Sequence, residues 1–278
     1  VKEVNGWRYP QIYKLLKETG ESEKPTCLFL CSNEPHGPYT KGDPKPYRDV
    51  SLSPQQLEHH RDSYAKYLAE ITYFDGQVGE VMRMLDSLNL RENTLVFVAS
   101  EQGSSYPFGK WTCYEVGVAS GLVVSWPGEI KPDSKTDAIV EYVDVVPTMI
   151  DAAGAEFPKY LAGRSFLPVL SGKNARHKKY AYSLQTTVGV NGVKQAYGIR
   201  SVVNERYRLV LNLFLKTNSA FPPREDFWRK PARWASERSN LPIAIPSVLP
   251  SSSLTSLRIH IVKKTLPASP GSQTKERF

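Results

Sequence analysis

The chain has 278 residues, of which 40% are hydrophobic and 11% aromatic, values typical of a globular protein with a sizeable core. No apolar run approaches the ~20 residues that a membrane-spanning helix needs, so the sequence predicts no membrane span. Of the net charge of +8, residues 1–213 contribute 25 basic and 24 acidic side chains, and the remaining 65 residues contribute 11 and 4. Because the basic excess avoids the predicted elements and no recognition motif occurs, we expect no specific nucleic-acid partner.

Short apolar runs alternate with amphipathic stretches along the first 213 residues. The patterns predict strands at 27–32, 95–100, 122–126 and 181–185, helices at 54–88 and 145–153, and an antiparallel pair at 199–203 and 207–211. Asp144 is placed to cap the second helix. Strands that alternate with helices indicate an α/β fold, with a mostly parallel sheet covered by helices on both faces and a small antiparallel C-terminal part.

The texture of the sequence changes after Leu213. Residues 214–278 form a basic, Pro- and Ser-rich tail that keeps no helical or strand period apart from a short run at 257–262. Such composition is typical of disordered segments, because ordering them costs more entropy than their burial returns. A change of reading frame would also produce such a tail, and the sequence does not decide between these two explanations.

Two polar sites follow predicted strands. Glu101 and Gln102 come directly after the strand at 95–100, and Lys110 follows on the next loop. Carboxylate and amide oxygens suit a hard cation, and a nearby lysine suits an anionic oxyester whose charge must be neutralised. On spacing alone, however, a polar strand end and a solvated lysine explain these residues better.

A histidine loop follows the first predicted strand. His36 lies between Pro35 and Pro38, just beyond the strand end, where an imidazole can donate to an oxyanion or protonate a leaving alkoxide. A lone histidine is more often structural. The other histidines, His59, His60, His177 and His260, lack such a context and are predicted to lie on the surface.

Several segments, taken together and in order, resemble the sulfatase family in its heparan-sulfatase-like branch. The resemblance covers roughly residues 25–213, and no single motif carries it. The matching segments are PTCLFLCSNEPHGPY, YLAEITYFDGQVGEVMRMLDSLNLRENT, SEQG, GKWTCYEVG, VVSWPG, VEYVDVVPTMIDAAGAEFPKYLAGRSFLPVLSG and YGIRSVVNERYRLVLNL.

The resemblance implies an alkaline-phosphatase-like fold and a sulfatase that hydrolyses sulfate esters or N-sulfates of a sulfated glycan. It places Glu101 and Gln102 at the family's paired metal-ligand positions, which implies Ca²⁺, although each is one methylene longer than the commoner aspartate–asparagine pair. It places Lys110 at the lysine that contacts the sulfate and gives His36 a role at the leaving group. A periplasmic, secreted or lysosomal location is what the family leads us to expect.

The family's nucleophile has no counterpart in the chain. Sulfatases use a formylglycine made from Cys or Ser in a C/S-x-P/A-x-R motif, and none of Cys27, Cys31 and Cys113 lies in that motif. The family's early aspartate pair is also missing. We therefore expect the chain to be a C-terminal part of a sulfatase, with a partial catalytic domain at 1–172, a β-rich subdomain at 173–213 and the tail at 214–278.

Two alternatives stay open at this point. One is a phosphoester hydrolase of the same superfamily, which the GKWT loop disfavours because related phosphatases need more His and Asp ligands for two zinc ions. The other is a non-catalytic, sulfatase-like remnant whose basic tail binds polyanions.

The missing motif predicts that the purified 278-residue chain has no sulfatase turnover. Covalent catalysis does not survive the loss of its attacking group, even where the other site residues are kept. An aryl sulfate assay over several hours should give the rate of the buffer alone. Hydrolysis above that background would contradict the prediction.

Overall fold

The computed structural model describes residues 2–5, 7–51, 60–106, 109–186, 198–213 and 258–263. The strands are β1 (Lys2–Asn5), β2 (Leu28–Cys31), β3 (Val96–Ala99), β4 (Leu122–Ser125), β5 (Ala181–Gln185), β6 (Ile199–Val203), β7 (Tyr207–Asn212) and β8 (Arg258–Lys263). The α-helices are α1 (Tyr9–Gly20), α2 (Arg61–Ser87), α3 (Glu115–Val118), α4 (Val145–Ala152) and α5 (Leu167–Leu170). Among the residues described, no helix has both the length and the apolar character that crossing a bilayer requires.

The chain divides into two compact units. The first comprises Val1–Lys110 and Ala119–His177, and the second comprises Trp111–Val118 and Lys178–Phe278. The boundaries predicted at residues 172 and 213 stay a prediction. Of the predicted tail, 214–257 and 264–278 lie outside the described residues, whereas the apolar run noted near its end coincides with β8.

The strands of the first unit pair two by two. β1 and β2 are parallel, and α1 connects them, as a parallel crossover requires. β3 and β4 are antiparallel. The predicted parallel arrangement therefore holds in this unit for β1 and β2, while β3 and β4 are joined by a segment whose described helix, α3, has only four residues.

The core of the first unit lies between α1 and α2. Ile12 and Leu16 recur at four-residue spacing and share one face of α1, where they pack with Val81 and Leu85 of α2. Pro10 lies in the first turn of α1, where the missing N–H costs no helical hydrogen bond. This packing fixes α2, a helix of 27 residues, and the histidine loop lies along it.

The second unit is built on an antiparallel sheet of order β5–β6–β7–β8. The predicted pairing of β6 with β7 is confirmed, with Ser201 opposite Val210. Residues 111–118 pack on this sheet: Cys113 joins a buried cluster with Ile199 and Val210, and the Arg208 guanidinium pairs with the Glu115 carboxylate at 2.7 Å. Burial raises the pKa of the Cys113 thiol to about 11, so this cysteine stays a neutral packing residue.

Replacement of Ile12 tests whether the α1–α2 core carries the first unit. Ile12 is completely buried, so Ile12→Ala should lower the free energy of unfolding by about 2–5 kcal/mol through lost transfer energy and a cavity. Chemical denaturation followed by circular dichroism measures the change. Lys14→Ala, at a side chain that is 78% exposed on the same helix, should change it by less than about 0.5 kcal/mol. Equal effects of the two variants would exclude this core as the source of stability.

Candidate active site

An open cleft of about 400 Å³ lies beyond the C-terminal ends of β2 and β3. His36, predicted from the end of β2, and Glu101, predicted from the end of β3, both line it. The other lining residues are Ser32, Asn33, Glu34, Gly37, Pro38, Thr40, Lys41 and Glu70. Two of the four predicted site residues therefore share one cleft, and Gln102 and Lys110 are not among the described lining residues.

The His36 ring is oriented by its own loop. Its Nδ1 lies 2.9 Å from the Gly37 carbonyl oxygen. A carbonyl accepts and never donates, so this contact assigns the proton of the neutral ring to Nδ1. Nε2 is then the nitrogen that gains and loses a proton, and the His36 side chain is exposed in the open cleft.

A buried carboxylate holds the backbone of the histidine loop. Glu70 of α2 is only 2% exposed, and its Oε2 accepts the His36 N–H at 3.1 Å. Its Oε1 accepts the Thr40 N–H at 2.6 Å and the Lys41 N–H at 3.1 Å. Three main-chain donors from one loop therefore converge on a single side chain.

Further contacts hold the loop along α2. Ser32 Oγ lies 3.0 Å from Oε1 of the buried Gln77 and 2.8 Å from Glu34 Oε2. Gly42 has a φ of +77°, and a Cβ built there would fall 2.4 Å from the Ala69 carbonyl oxygen. Only glycine fits such a position, since both the conformation and the close approach exclude a side chain.

Sequence reasoning missed Glu70 and Gln77, although a signal was present. These two residues are seven apart, so they lie on the same face of α2, and both are buried. A carboxylate and an amide on the buried face of an amphipathic helix must find hydrogen-bond partners. That pattern predicts a polar contact with another segment, although it does not identify the segment.

Lys110 lies at the end of a tight turn. Its backbone N–H donates to the Ser104 carbonyl at 2.7 Å, and the Gly109 N–H donates to the Tyr106 carbonyl at 2.9 Å. A Cβ at Gly109 would fall 2.0 Å from the Ser104 oxygen, so this turn requires glycine. The Lys110 side chain is half-buried.

An aromatic cluster joins the lysine turn to α2 and to the histidine loop. The Tyr106 ring packs edge-on against Tyr64 and Tyr67 of α2, and Tyr67 packs against Tyr39. The Tyr39 hydroxyl also hydrogen-bonds Ser105. Burial raises the pKa of Tyr106 to about 12, so the phenol is neutral at physiological pH. The two loops are thus held on the same helix without any charge in the cluster.

The surface position predicted for His177 is wrong. Its side chain is 5% exposed, and Nε2 lies 3.2 Å from Oδ2 of the fully buried Asp144. Asp144 lies at the position predicted to cap α4, but its carboxylate instead accepts the backbone N–H groups of Glu141 and Arg164, each at 3.0 Å. A lone histidine has no local sequence pattern, so its burial depends on contacts far along the chain.

His60 is also not a surface residue. It is half-buried, and its ring packs against Tyr106 at 5.9 Å between centroids. His59 lies outside the described residues, and the backbone of His260 lies in β8.

The donor set of the cleft fits part of a calcium site. Ca²⁺ takes six to eight oxygen ligands, and Glu101 and Gln102 offer adjacent carboxylate and amide oxygens. Across the described ranges, no group of three or more His, Cys, Asp or Glu residues is placed to hold a metal ion. The fit is therefore that of two ligands, and a complete coordination shell needs further oxygens.

Two family models match the sequence. The Sulfatase model matches residues 9–155, and the model of the N-sulphoglucosamine sulphohydrolase C-terminal region matches residues 103–221. The first match covers more than half of the chain. Together they span both units of the structure.

Individual proteins agree with the family models. The chain is 31% identical to an ulvan-active sulfatase of Formosa agariphila over 69% of this chain and 38% of that protein. It is 31% identical to human N-sulphoglucosamine sulphohydrolase over 62% of this chain and 35% of that protein. The chain thus spans less than half the length of these curated relatives.

A solved structure from glycosaminoglycan metabolism by Bacteroides thetaiotaomicron superposes with a TM-score of 0.63 at 24% identity. It covers 75% of this chain and 49% of that chain. This match confirms the predicted alkaline-phosphatase-like fold.

Replacement of Gly42 tests whether the histidine loop depends on its close approach to α2. Gly42→Ala should lower the free energy of unfolding by more than about 1 kcal/mol, because the added methyl group meets the Ala69 carbonyl at a strained φ. Gly76→Ala is the matched control: it lies in α2 with open space at the Cβ position and should raise stability by about 1 kcal/mol. Thermal unfolding of both variants measures the difference, and effects of the same sign would argue against the close approach.

Proposed function

The chain belongs to the sulfatase family, and on that premise we propose that its cleft forms part of a hydrolytic site for a sulfated glycan. The observation that carries this proposal is the shared cleft of His36 and Glu101, which come from two separate strand ends. Ligand sites of α/β proteins lie at such strand ends. Sulfate ester or N-sulfate hydrolysis is the proposed reaction.

His36 would serve the leaving group. With Nδ1–H held by the Gly37 carbonyl, the imidazolium form carries its second proton on Nε2. Donation of that proton to the departing glycan oxygen or nitrogen returns the neutral ring with Nδ1 still protonated. General acid catalysis of this kind contributes typically ~10²–10⁴-fold to the rate.

The negative charge of the sulfate needs positive partners. Glu101 and Gln102 would hold the calcium ion, which when bound supplies positive charge at the sulfate oxygens. The Lys110 ammonium would offset the remaining charge and its build-up on the bridging oxygen. The Lys110 turn is held by the same aromatic cluster as the histidine loop, which supports a shared role for the two loops.

The substrate class follows from the relatives. One family model and one curated relative are described by N-sulphoglucosamine, and another relative by the sulfated polysaccharide ulvan. We infer that the substrate is a sulfated sugar of a glycan, with N-sulfated glucosamine as the first compound to try. Because the chain spans less than half of these relatives, both the activity and the substrate are proposals.

Ligand binding by the 278-residue chain tests the proposal without turnover. Calorimetric titration with glucosamine N-sulfate in the presence of calcium should show binding, and unsulfated glucosamine should bind more weakly or not at all. Lys110→Gln should weaken sulfate binding by about ten-fold or more, since a charge-assisted contact is lost. Lys159→Gln, at an exposed lysine of the same unit, is the matched control and should leave affinity unchanged.

Other outcomes favour the alternatives. Tighter binding of glucosamine 6-phosphate than of either sulfate would favour a phosphoester hydrolase. Absence of binding to all of these sugars, with the chain folded and calcium present, would favour the non-catalytic remnant. Equal binding of glucosamine and its N-sulfate would contradict sulfate recognition in this cleft.

A further inference from the structure

We propose that Glu70 is a positioning residue, which places the His36 imidazole by fixing the main chain of the histidine loop. The inference rests on the proposed function only for the role of His36, and its geometry stands independently. The carboxylate is 2% exposed and accepts the N–H groups of His36, Thr40 and Lys41.

The loop needs such an acceptor because it has no ladder partner. Residues 32–44 lie outside any helix or strand, so their N–H groups cannot be satisfied by regular secondary structure. Glu70 receives donors from both ends of the 36–41 segment, on its two separate oxygens. An ionised carboxylate only accepts, which matches three incoming N–H groups, whereas a protonated one would present an O–H to one of them.

The carboxylate is itself held on a fixed base. α2 packs on α1 through the buried cluster of Ile12, Val81 and Leu85. Gly42 lies against the backbone of Ala69, the residue before Glu70, and the Lys41 ammonium lies 5.8 Å from the centre of the Tyr73 ring. The loop therefore takes its position from the helix, and Glu70 transmits that position to His36 through the backbone.

This role separates Glu70 from Glu101, the other carboxylate treated above. Both line the cleft, yet the oxygens of Glu70 already accept three N–H groups, while the Glu101 side chain is exposed. Glu70 is thus a structural acceptor and is not assigned as a calcium ligand. A variant at Glu70 should change the histidine loop first, with any change in calcium affinity following from it.

Glu70→Gln is the decisive variant, because it keeps the size of the side chain but turns an NH₂ group toward backbone donors. Amide hydrogen exchange of Thr40 and Lys41 should become about ten-fold faster or more, since charge-assisted hydrogen bonds are lost. The ¹⁵N chemical shifts of the His36 ring should move from the Nδ1–H form toward a mixture of tautomers. Both readouts use the full 278-residue chain without sulfate ligand, so failure of the proposed function does not affect them.

Glu80→Gln is the matched control. It makes the same chemical change on the same helix, at a side chain that is 40% exposed and pairs with Arg83. It should leave the exchange rates and the His36 shifts as in the parent chain. Glu70→Asp keeps the charge and should restore part of the protection, and it decides the question by the same two readouts if Glu70→Gln does not fold.

The proposal is overturned if a folded Glu70→Gln variant keeps parental exchange rates and His36 shifts. It is equally overturned if Glu80→Gln changes both readouts as much as Glu70→Gln does. Faster exchange with unchanged His36 shifts would reduce Glu70 to a loop anchor and exclude the positioning role.

Discussion

The candidate site depends on how an irregular loop satisfies its backbone hydrogen bonds. Residues 32–44 pair with no strand, and a loop with unsatisfied buried N–H groups would not hold one conformation. α2 removes this difficulty with a buried carboxylate and a buried amide, Glu70 and Gln77, and with a backbone surface that only Gly42 can approach. The position of the cleft is therefore set by the packing of α2 on α1 rather than by the strand end alone.

Strand ends were predictable from the sequence, and buried polar partners were not. Short runs of β-branched and aromatic residues are a local signal, so the positions of His36 and Glu101 just after two strands could be predicted. The partners of Glu70 and His177 come from segments at least 29 and 33 residues away, and no local pattern carries such information. A buried polar residue on a helix face indicates that a partner exists, and only the path of the chain shows which one.

Adjacency in sequence was a weaker guide for Gln102 and Lys110. Gln102 follows Glu101 directly, yet only Glu101 is among the residues described as lining the cleft. The path of the Lys110 turn is determined by Gly109, whose close contact with the Ser104 carbonyl leaves no room for a side chain, and by the neutral Tyr106 cluster. Fold class could be predicted because it depends on the alternation of elements, whereas site geometry depends on single close contacts such as these.

The charges of the cleft explain why anion binding there should depend on a cation. Glu34, Glu70 and Glu101 all line it, against the single ammonium of Lys41. The oxygens of Glu70 accept loop N–H groups and Glu34 contacts the Ser32 hydroxyl, which disperses their charge. Glu101 is different, because a sulfate about 4 Å away would be repelled by about 4 kcal/mol at an effective dielectric constant near 20. A sulfate can therefore enter beside Glu101 only with a cation between them, so the carboxylate that seems wrong for an anion site is what a metal-dependent one requires.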